Sequence, residues 1–256
     1  MNLRPSTPAE PGAPMRRVLL TGASRGIGHA TVKRFMREGW EVVTVSRDTP
    51  PPECGRDPRW SLHVTADLSI PAERDRLVAE IDARLAGAPL HALVNNAGVS
   101  PKTGYKERLG VLHGPLEDWH SVFELNFFAP IALARGLAAA LAKGAGAIVN
   151  VTSIAGHAIH PFAGSAYSTS KAALSSLTRE MAGELAPLGI RVNAVAPGEI
   201  ETEMISADYE PLIARIPMHR MGTADEVAGV IYRLCDKDFG YVTGSEVFVT
   251  GGQHLY

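Results

Sequence analysis

The stretch AYSTSKAAL at 166–174 sets Tyr167 and Lys171 four residues apart. On an α-helix such a pair shares one face, one turn apart. A phenol with an ordinary pKa of about 10 can give up a proton to a reacting oxygen, and a neighbouring cation favours the phenolate left behind. Alone, the same pair reads as a solvated or half-buried helix face, so its company must decide. A second group is TGASRGIG at 21–28, with Gly22, Gly26 and Gly28 between an apolar run and a helix-period run. Glycines there let the backbone turn tightly, approach a pyrophosphate and aim helix-start N–H groups at it. The spacing is G-x-x-x-G-x-G, and strand context before it with helix context after it favours dinucleotide binding over a purely structural turn.

These residues must be held by something. From Arg16 onward, RRVLLTG, WEVVTVSR, SLHVTADL, HALVNNAG, GAIVNVTS, IRVNAVAPG and SEVFVTGG are short, β-branched and mostly apolar on both faces, as buried parallel strands are. Between them, 26–38, 70–86, 116–142 and 165–186 have helical length and period, with Leu174, Leu177, Met181 and Leu185 forming one apolar stripe. The alternation implies right-handed crossovers and an α/β fold: a single-domain, Rossmann-like, doubly wound parallel sheet with helices on both faces. No repeat or linker divides it, so one domain is expected over 16–256. The segment 1–15 carries Pro5, Pro8, Pro11 and Pro14 and reads as a disordered arm. In such a sheet ligands bind at the carboxyl ends of the strands, where the unusual residues gather.

The order TGASRGIG, NNAG at 95–98, Asn126, Ser153, YSTSK at 167–171 and Pro197-Gly198 resembles the short-chain dehydrogenase/reductase family over residues 16–252. The resemblance implies a nicotinamide cofactor and hydride transfer between an alcohol and a carbonyl. Reducing a ketone puts negative charge on its oxygen, so the site needs a proton donor and a hydrogen-bond partner there. Tyr167 fits the donor, Lys171 the cation that lowers its pKa, and Ser153 the partner of the substrate oxygen. Asn126 is similar to the family's asparagine that supports a water-linked proton path to the lysine. Each has a duller explanation: Ser153 could cap the turn after its strand, and Asn126 could satisfy buried backbone groups. The resemblance also implies cofactor contacts from Gly22, Ser24, Arg25, Gly26, Ile27, Gly28, Asn95, Ala97, Gly98, Pro197, Gly198, Ile200 and Thr202, with Asp67 and Leu68 meeting the adenine.

Cofactor choice is read at the end of VVTVSRD. An acidic residue there accepts from the ribose hydroxyls, whereas an arginine accommodates a 2′-phosphate. The family's NAD-selecting position falls on Ser46, followed by Arg47, and Arg25 adds a second cation, so NADP is expected over NAD. The alternative gives Asp48 the ribose.

Composition narrows the rest. Charged residues at 20% and a net charge of -2 argue against a nucleic-acid partner, and no run approaches the ~18 uninterrupted apolar residues of a membrane span. Two distant cysteines, Cys54 and Cys235, with no signal-peptide pattern suggest a reducing, cytoplasmic setting. Asn150-Val151-Thr152 matches a glycosylation acceptor but lies in an expected buried strand, and the histidines lack metal-ligand spacing, so no metal is expected. Apolar and small residues around much of 116–142 and 165–186, together with the resemblance, suggest a homotetramer. Two departures from the family pattern stand out: Thr250 replaces the common aspartate before the last glycine pair, and 99–119 is longer than in compact members. The competing reading is a non-catalytic dinucleotide-binding protein that senses redox state or scaffolds a complex.

Overall fold

Strand β1 (Arg17–Thr21) shows how this chain divides its apolar residues: Leu19 packs into one core, while Val18 and Leu20 pack into another on the opposite face of the sheet. Side chains alternate faces along a strand, so a strand apolar throughout must be covered twice. The computed structural model, which describes residues 15–48, 60–104, 107–201 and 210–255, supplies both covers.

Parallel to β1 run β2 (Glu41–Ser46), β3 (Trp60–Thr65), β4 (Ala92–Asn95), β7 (Ala147–Val151), β8 (Arg191–Pro197) and β9 (Glu246–Val249). The order across the sheet is β3-β2-β1-β4-β7-β8-β9, so the winding reverses between β1 and β4. That reversal opens a crevice at the carboxyl ends of the strands. The first face is covered by α2 (Pro71–Leu85), α4 (Ala129–Lys143) and α5 (Ser165–Leu185), through Leu77, Leu133, Leu137 and Met181 among others. The second is covered by α1 (Gly26–Arg37) and α7 (Ala224–Cys235), through Val32, Phe35, Val227 and Ile231. This is the expected doubly wound α/β sheet, with all seven expected strands present.

Four details depart from the expected elements. The run 116–142 is not one α-helix: α3 (Leu116–Phe123) passes through a π turn at Glu124–Phe128 before α4 resumes. Buried Arg74 braces that turn, donating to the Glu124 carbonyl at 2.9 Å and to its carboxylate at 2.6 Å. By length and composition Leu116–Lys143 is apolar enough to cross a membrane, yet Leu133, Leu137 and Leu141 are buried in the core of this sheet. The long segment after Val99 folds into an antiparallel pair, β5 (Lys102–Gly104) with β6 (Glu107–Arg108). Its next residue, Leu109, is fully buried with Val122 and Ala166, and accepts the Ser165 amide at 2.8 Å, which anchors the segment at the start of α5. Beyond a short α6 (Glu210–Ile213), α7 was not anticipated. It begins with a reciprocal cap in which the Glu226 amide donates to Thr223 Oγ1 at 3.2 Å and the Thr223 amide to Glu226 Oε2 at 2.8 Å. Residues 1–14 of the arm expected at 1–15, Cys54 and Thr202 lie outside the described residues.

Candidate functional site

Two clefts open at the carboxyl ends of the strands. The first, about 250 Å³, is lined by Gly22, Ser24, Arg25, Ile27, Gly28, Ser46, Arg47, Asp67, Leu68, Ala97 and Gly98, with Asp48 and Asn96. The second, about 380 Å³, is lined by Ser153, Tyr167, Lys171, Pro197, Gly198 and Ile200, with Val99, Glu199 and Met221. Ile27, Asn96 and Gly98 belong to both, so the clefts are continuous.

The glycine turn of the first cleft is built on close approach. Gly22 and Gly26 have φ of 70° and 54°, in the left-handed region that favours glycine. A Cβ on Gly28 would lie 2.0 Å from the Gly22 carbonyl oxygen, so α1 can start against the turn only with glycine there. Nothing lies within 4 Å of where a Gly26 Cβ would be, and no side chain caps the start of α1, so the turn faces open space, a cradle suited to a pyrophosphate. Asn96 stitches this turn to β4: its amide donates to Thr21 Oγ1 at 3.1 Å, and its Nδ2 to the carbonyls of Thr21 and Gly22 at 3.1 and 2.9 Å.

At the far end of that cleft, Ser46 closes β2 and donates its hydroxyl to the Asp48 carbonyl at 2.6 Å. Arg25 and Arg47 are exposed. Asp67 sits below the usual carboxylate range. Burial pushes it upward, but the Ser69 hydroxyl at 2.6 Å, the Ser69 amide at 2.9 Å and the Arg47 charge together bring it down. The cleft thus holds two cations against two carboxylates.

In the second cleft Ser153 follows β7 directly, and its Oγ accepts the Ala155 amide at 3.1 Å. The capping role is therefore real, and it engages an acceptor lone pair rather than the hydroxyl proton, which remains for a partner in the cleft such as Tyr167. Tyr167 and Lys171 occupy one face of α5, with Lys171 Nζ 5.8 Å from the Tyr167 ring centre. Lys171 is only 3% exposed and donates to the Val151 carbonyl at 2.7 Å. Burial pulls its pKa from 10.5 to about 8. The expected lowering of the Tyr167 phenol does not dominate: burial raises it above 10.0, the Ser153 hydroxyl opposes that rise, and the Glu199 charge adds to it. Desolvation wins because a phenolate stripped of water costs more than one neighbouring hydrogen bond returns.

Asn126 sits in the π turn, fully buried. Its Oδ1 accepts the Val99 amide at 2.9 Å, and its Nδ2 donates to the Val99 carbonyl at 3.1 Å and to Ser170 Oγ at 3.0 Å. It ties the end of the NNAG segment to α5 next to Lys171, and a Cβ on Gly98 would crowd Lys171 Nζ at 3.2 Å and Asn126 Oδ1 at 3.3 Å. π turns that re-aim one side chain recur at functional sites.

Three placements differ from the sequence reading. Asn95 does not line either cleft: it is buried, donating Nδ2 to Asn150 Oδ1 at 2.8 Å, because neighbouring residues leave a strand end on opposite faces. Asn96, one residue on and passed over, takes the cleft side. Glu199, next to the expected Pro197-Gly198 pair, was also missed. Asn150 itself is fully buried, and Thr250 is buried with Oγ1 2.7 Å from His254 Nδ1.

The parallel sheet and the two joined clefts at its carboxyl edge define a Rossmann-like protein. Residues 22–254 match the family model described as enoyl-(acyl carrier protein) reductase. Protein FixR of Bradyrhizobium diazoefficiens is 55% identical over 244 residues, spanning 93% of this chain and 86% of that protein. The 3-oxoacyl-[acyl-carrier-protein] reductase of Synechocystis is 34% identical, covering 93% of this chain and 96% of its own. A short-chain dehydrogenase/reductase from Brucella ovis, solved with a partially ordered NAD, is 48% identical with a TM-score of 0.79 over 93% of this chain and all of that one. The chain belongs to the short-chain dehydrogenase/reductase family and is an oxidoreductase.

Proposed function

We propose that the protein is an NADP(H)-dependent oxidoreductase interconverting a carbonyl and a secondary alcohol. The observation that carries this is the second cleft, where Ser153, Tyr167 and Lys171 converge and which is continuous with the glycine-turn cleft. The residues fit a dinucleotide: the open cradle at Gly22, Gly26 and Gly28 would take the pyrophosphate, and Asp67 and Leu68 the adenine. When bound, the reduced nicotinamide supplies the hydride for the carbonyl carbon.

Tyr167, kept protonated by its raised pKa, gives its proton to the carbonyl oxygen. Ser153 donates a hydrogen bond to the same oxygen as charge grows there. The Lys171 ammonium stabilises the phenolate that remains, and Asn126 supports Lys171 through water from the joint it makes with Val99 and α5. In the oxidising direction each proton moves the other way.

Ser46, Arg25 and Arg47 in one cleft support NADP over NAD. NAD is the second reading, favoured by Asp48 in that cleft and by the NAD bound in the Brucella ovis relative. The family resemblance and exposed Leu116 and Phe128 support a homotetramer formed through α3, α4 and α5. A cytoplasmic setting agrees with Cys235 as a free, buried thiol, its pKa pushed up to about 12 by burial. The test is oxidation of NADPH and NADH against a panel of ketones, aldehydes and β-keto thioesters. Carbonyl-dependent oxidation, faster with NADPH, is expected. Tight cofactor binding with no turnover of any carbonyl would instead favour a non-catalytic dinucleotide-binding protein.

A further inference from the structure

Glu199 brings a carboxylate into the second cleft, beside Ser153 and Tyr167, although it is only 8% exposed. A carboxylate taken out of water needs donors or a cation. Its Oε1 receives His160 Nε2 at 2.5 Å and, at a longer 3.4 Å, Gln253 Nε2. His160 Nδ1 accepts the Phe162 amide at 3.2 Å, which places the ring proton on Nε2. That tautomer donates a hydrogen bond but leaves the negative charge in place. Among the described residues no lysine or arginine pairs with Glu199, and its Oε2 receives no hydrogen bond; Arg215, in the adjoining hollow with His160, is exposed. Gln253 Oε1 close by is also buried with no partner among the described residues. The wall facing the candidate proton donor therefore presents, in Glu199, a carboxylate oxygen that lacks a donor among the described residues, with the unpartnered Gln253 Oε1 behind it in the adjoining hollow.

We propose that Glu199 is a specificity-determining residue: its free carboxylate oxygen accepts from a hydroxyl group near the reacting carbonyl, so the enzyme selects hydroxy ketones and rejects keto acids. This rests on the second cleft being the carbonyl-reducing site. A hydroxyl donating to a carboxylate makes a charge-assisted bond, and a substrate lacking it leaves that oxygen without this partner on a side chain only 8% exposed. A substrate carboxylate in the same place meets like charge, the repulsive half of the selection. His160 acts as a positioning residue, holding Oε1 so that Oε2 faces the cleft.

The test is kcat/KM of the full-length protein with NADPH for butanone, hydroxybutanone and oxobutanoate, in the parent and in Glu199→Gln. The parent should favour hydroxybutanone over butanone by about 10- to 100-fold, with oxobutanoate poorest. Gln keeps the shape without the charge, so the hydroxyl preference should shrink at least about fivefold, and oxobutanoate should gain about 10-fold relative to butanone. If Glu199→Gln does not fold, Glu199→Asp, which withdraws the carboxylate by one methylene, should show the same loss of hydroxyl preference. No hydroxyl preference in the parent, or the same ratios in the variant, overturns the proposal. So does an NADPH affinity that falls in the variant while the ratios hold, because the carboxylate then serves the cofactor. If hydroxybutanone is not reduced but other carbonyls are, this inference fails and the proposed function stands; if no carbonyl is reduced, the proposed function fails as well.

Discussion

Replacing Lys171 by Met should reveal what a buried ammonium costs the fold. Burial lowers the Lys171 pKa from 10.5 to about 8, so below pH 8 the folded protein holds a charge that the unfolded chain holds more comfortably in water. Between about pH 8 and 10.5 the unfolded chain keeps this proton while the folded protein sheds it, and stability rises with pH wherever the unfolded state binds more protons. The full gap corresponds to about 3.4 kcal/mol, of which about 2.5 kcal/mol falls between pH 7 and pH 10. Met has no charge to titrate, and the lost bond to the Val151 carbonyl costs the variant a similar amount at both pH values. Urea unfolding of parent and Lys171→Met at pH 7 and pH 10 reports mainly this titration, since the other ionising groups are common to both and the neighbouring Tyr167 phenol, raised above 10.0, stays largely protonated over that interval. The parent should gain about 2 to 3 kcal/mol on the variant over that interval. A stability difference constant to within about 0.5 kcal/mol would show that Lys171 is not desolvated as its contacts indicate.

Gly28→Ala would set a Cβ 2.0 Å from the Gly22 carbonyl oxygen, so the turn must shift. A loss of about 1 to 3 kcal/mol in urea unfolding, together with weakened cofactor binding, is expected, and parent-like values of both would contradict the close approach. Ser46→Asp with Arg47→Ala should invert the NADPH-over-NADH ratio of kcat/KM, because a carboxylate there accepts from ribose hydroxyls and repels a 2′-phosphate. A parent that already prefers NADH would move the selection to Asp48. Sedimentation equilibrium at micromolar concentration should give a mass about four times that of the chain, and a monomer mass would remove the assembly through α3, α4 and α5.

The strands were legible because most are apolar on both faces, the pattern of a doubly covered sheet. The Tyr167–Lys171 spacing alone reads as one helix face, and it is the resemblance of the ordered motifs that joins it to Ser153; the glycine turn was legible from its place between strand and helix. What stayed hidden depends on contacts across the chain. Asn95 and Asn96 are adjacent and chemically identical, and only the facing of the last β4 residue sends one inward to Asn150 and the other to the clefts. The sign of the Tyr167 shift turns on burial, which the helix spacing does not encode. Glu199 draws its meaning from His160, distant in sequence. The start of α7 carries a readable signal, Thr223 three residues before Glu226 ahead of an apolar run. The β5 and β6 strands are too short for any periodicity to register.

Delivery of the proton by the Tyr167 hydroxyl is tested with least disturbance by Tyr167→Phe, which removes one oxygen from a half-buried ring. Steady-state turnover of the best carbonyl substrate and NADPH affinity by fluorescence should be measured on the same preparation. Turnover should fall by about 100- to 10,000-fold while cofactor affinity stays within about threefold. Turnover within about twofold of the parent would contradict the assignment of Tyr167 as the proton donor.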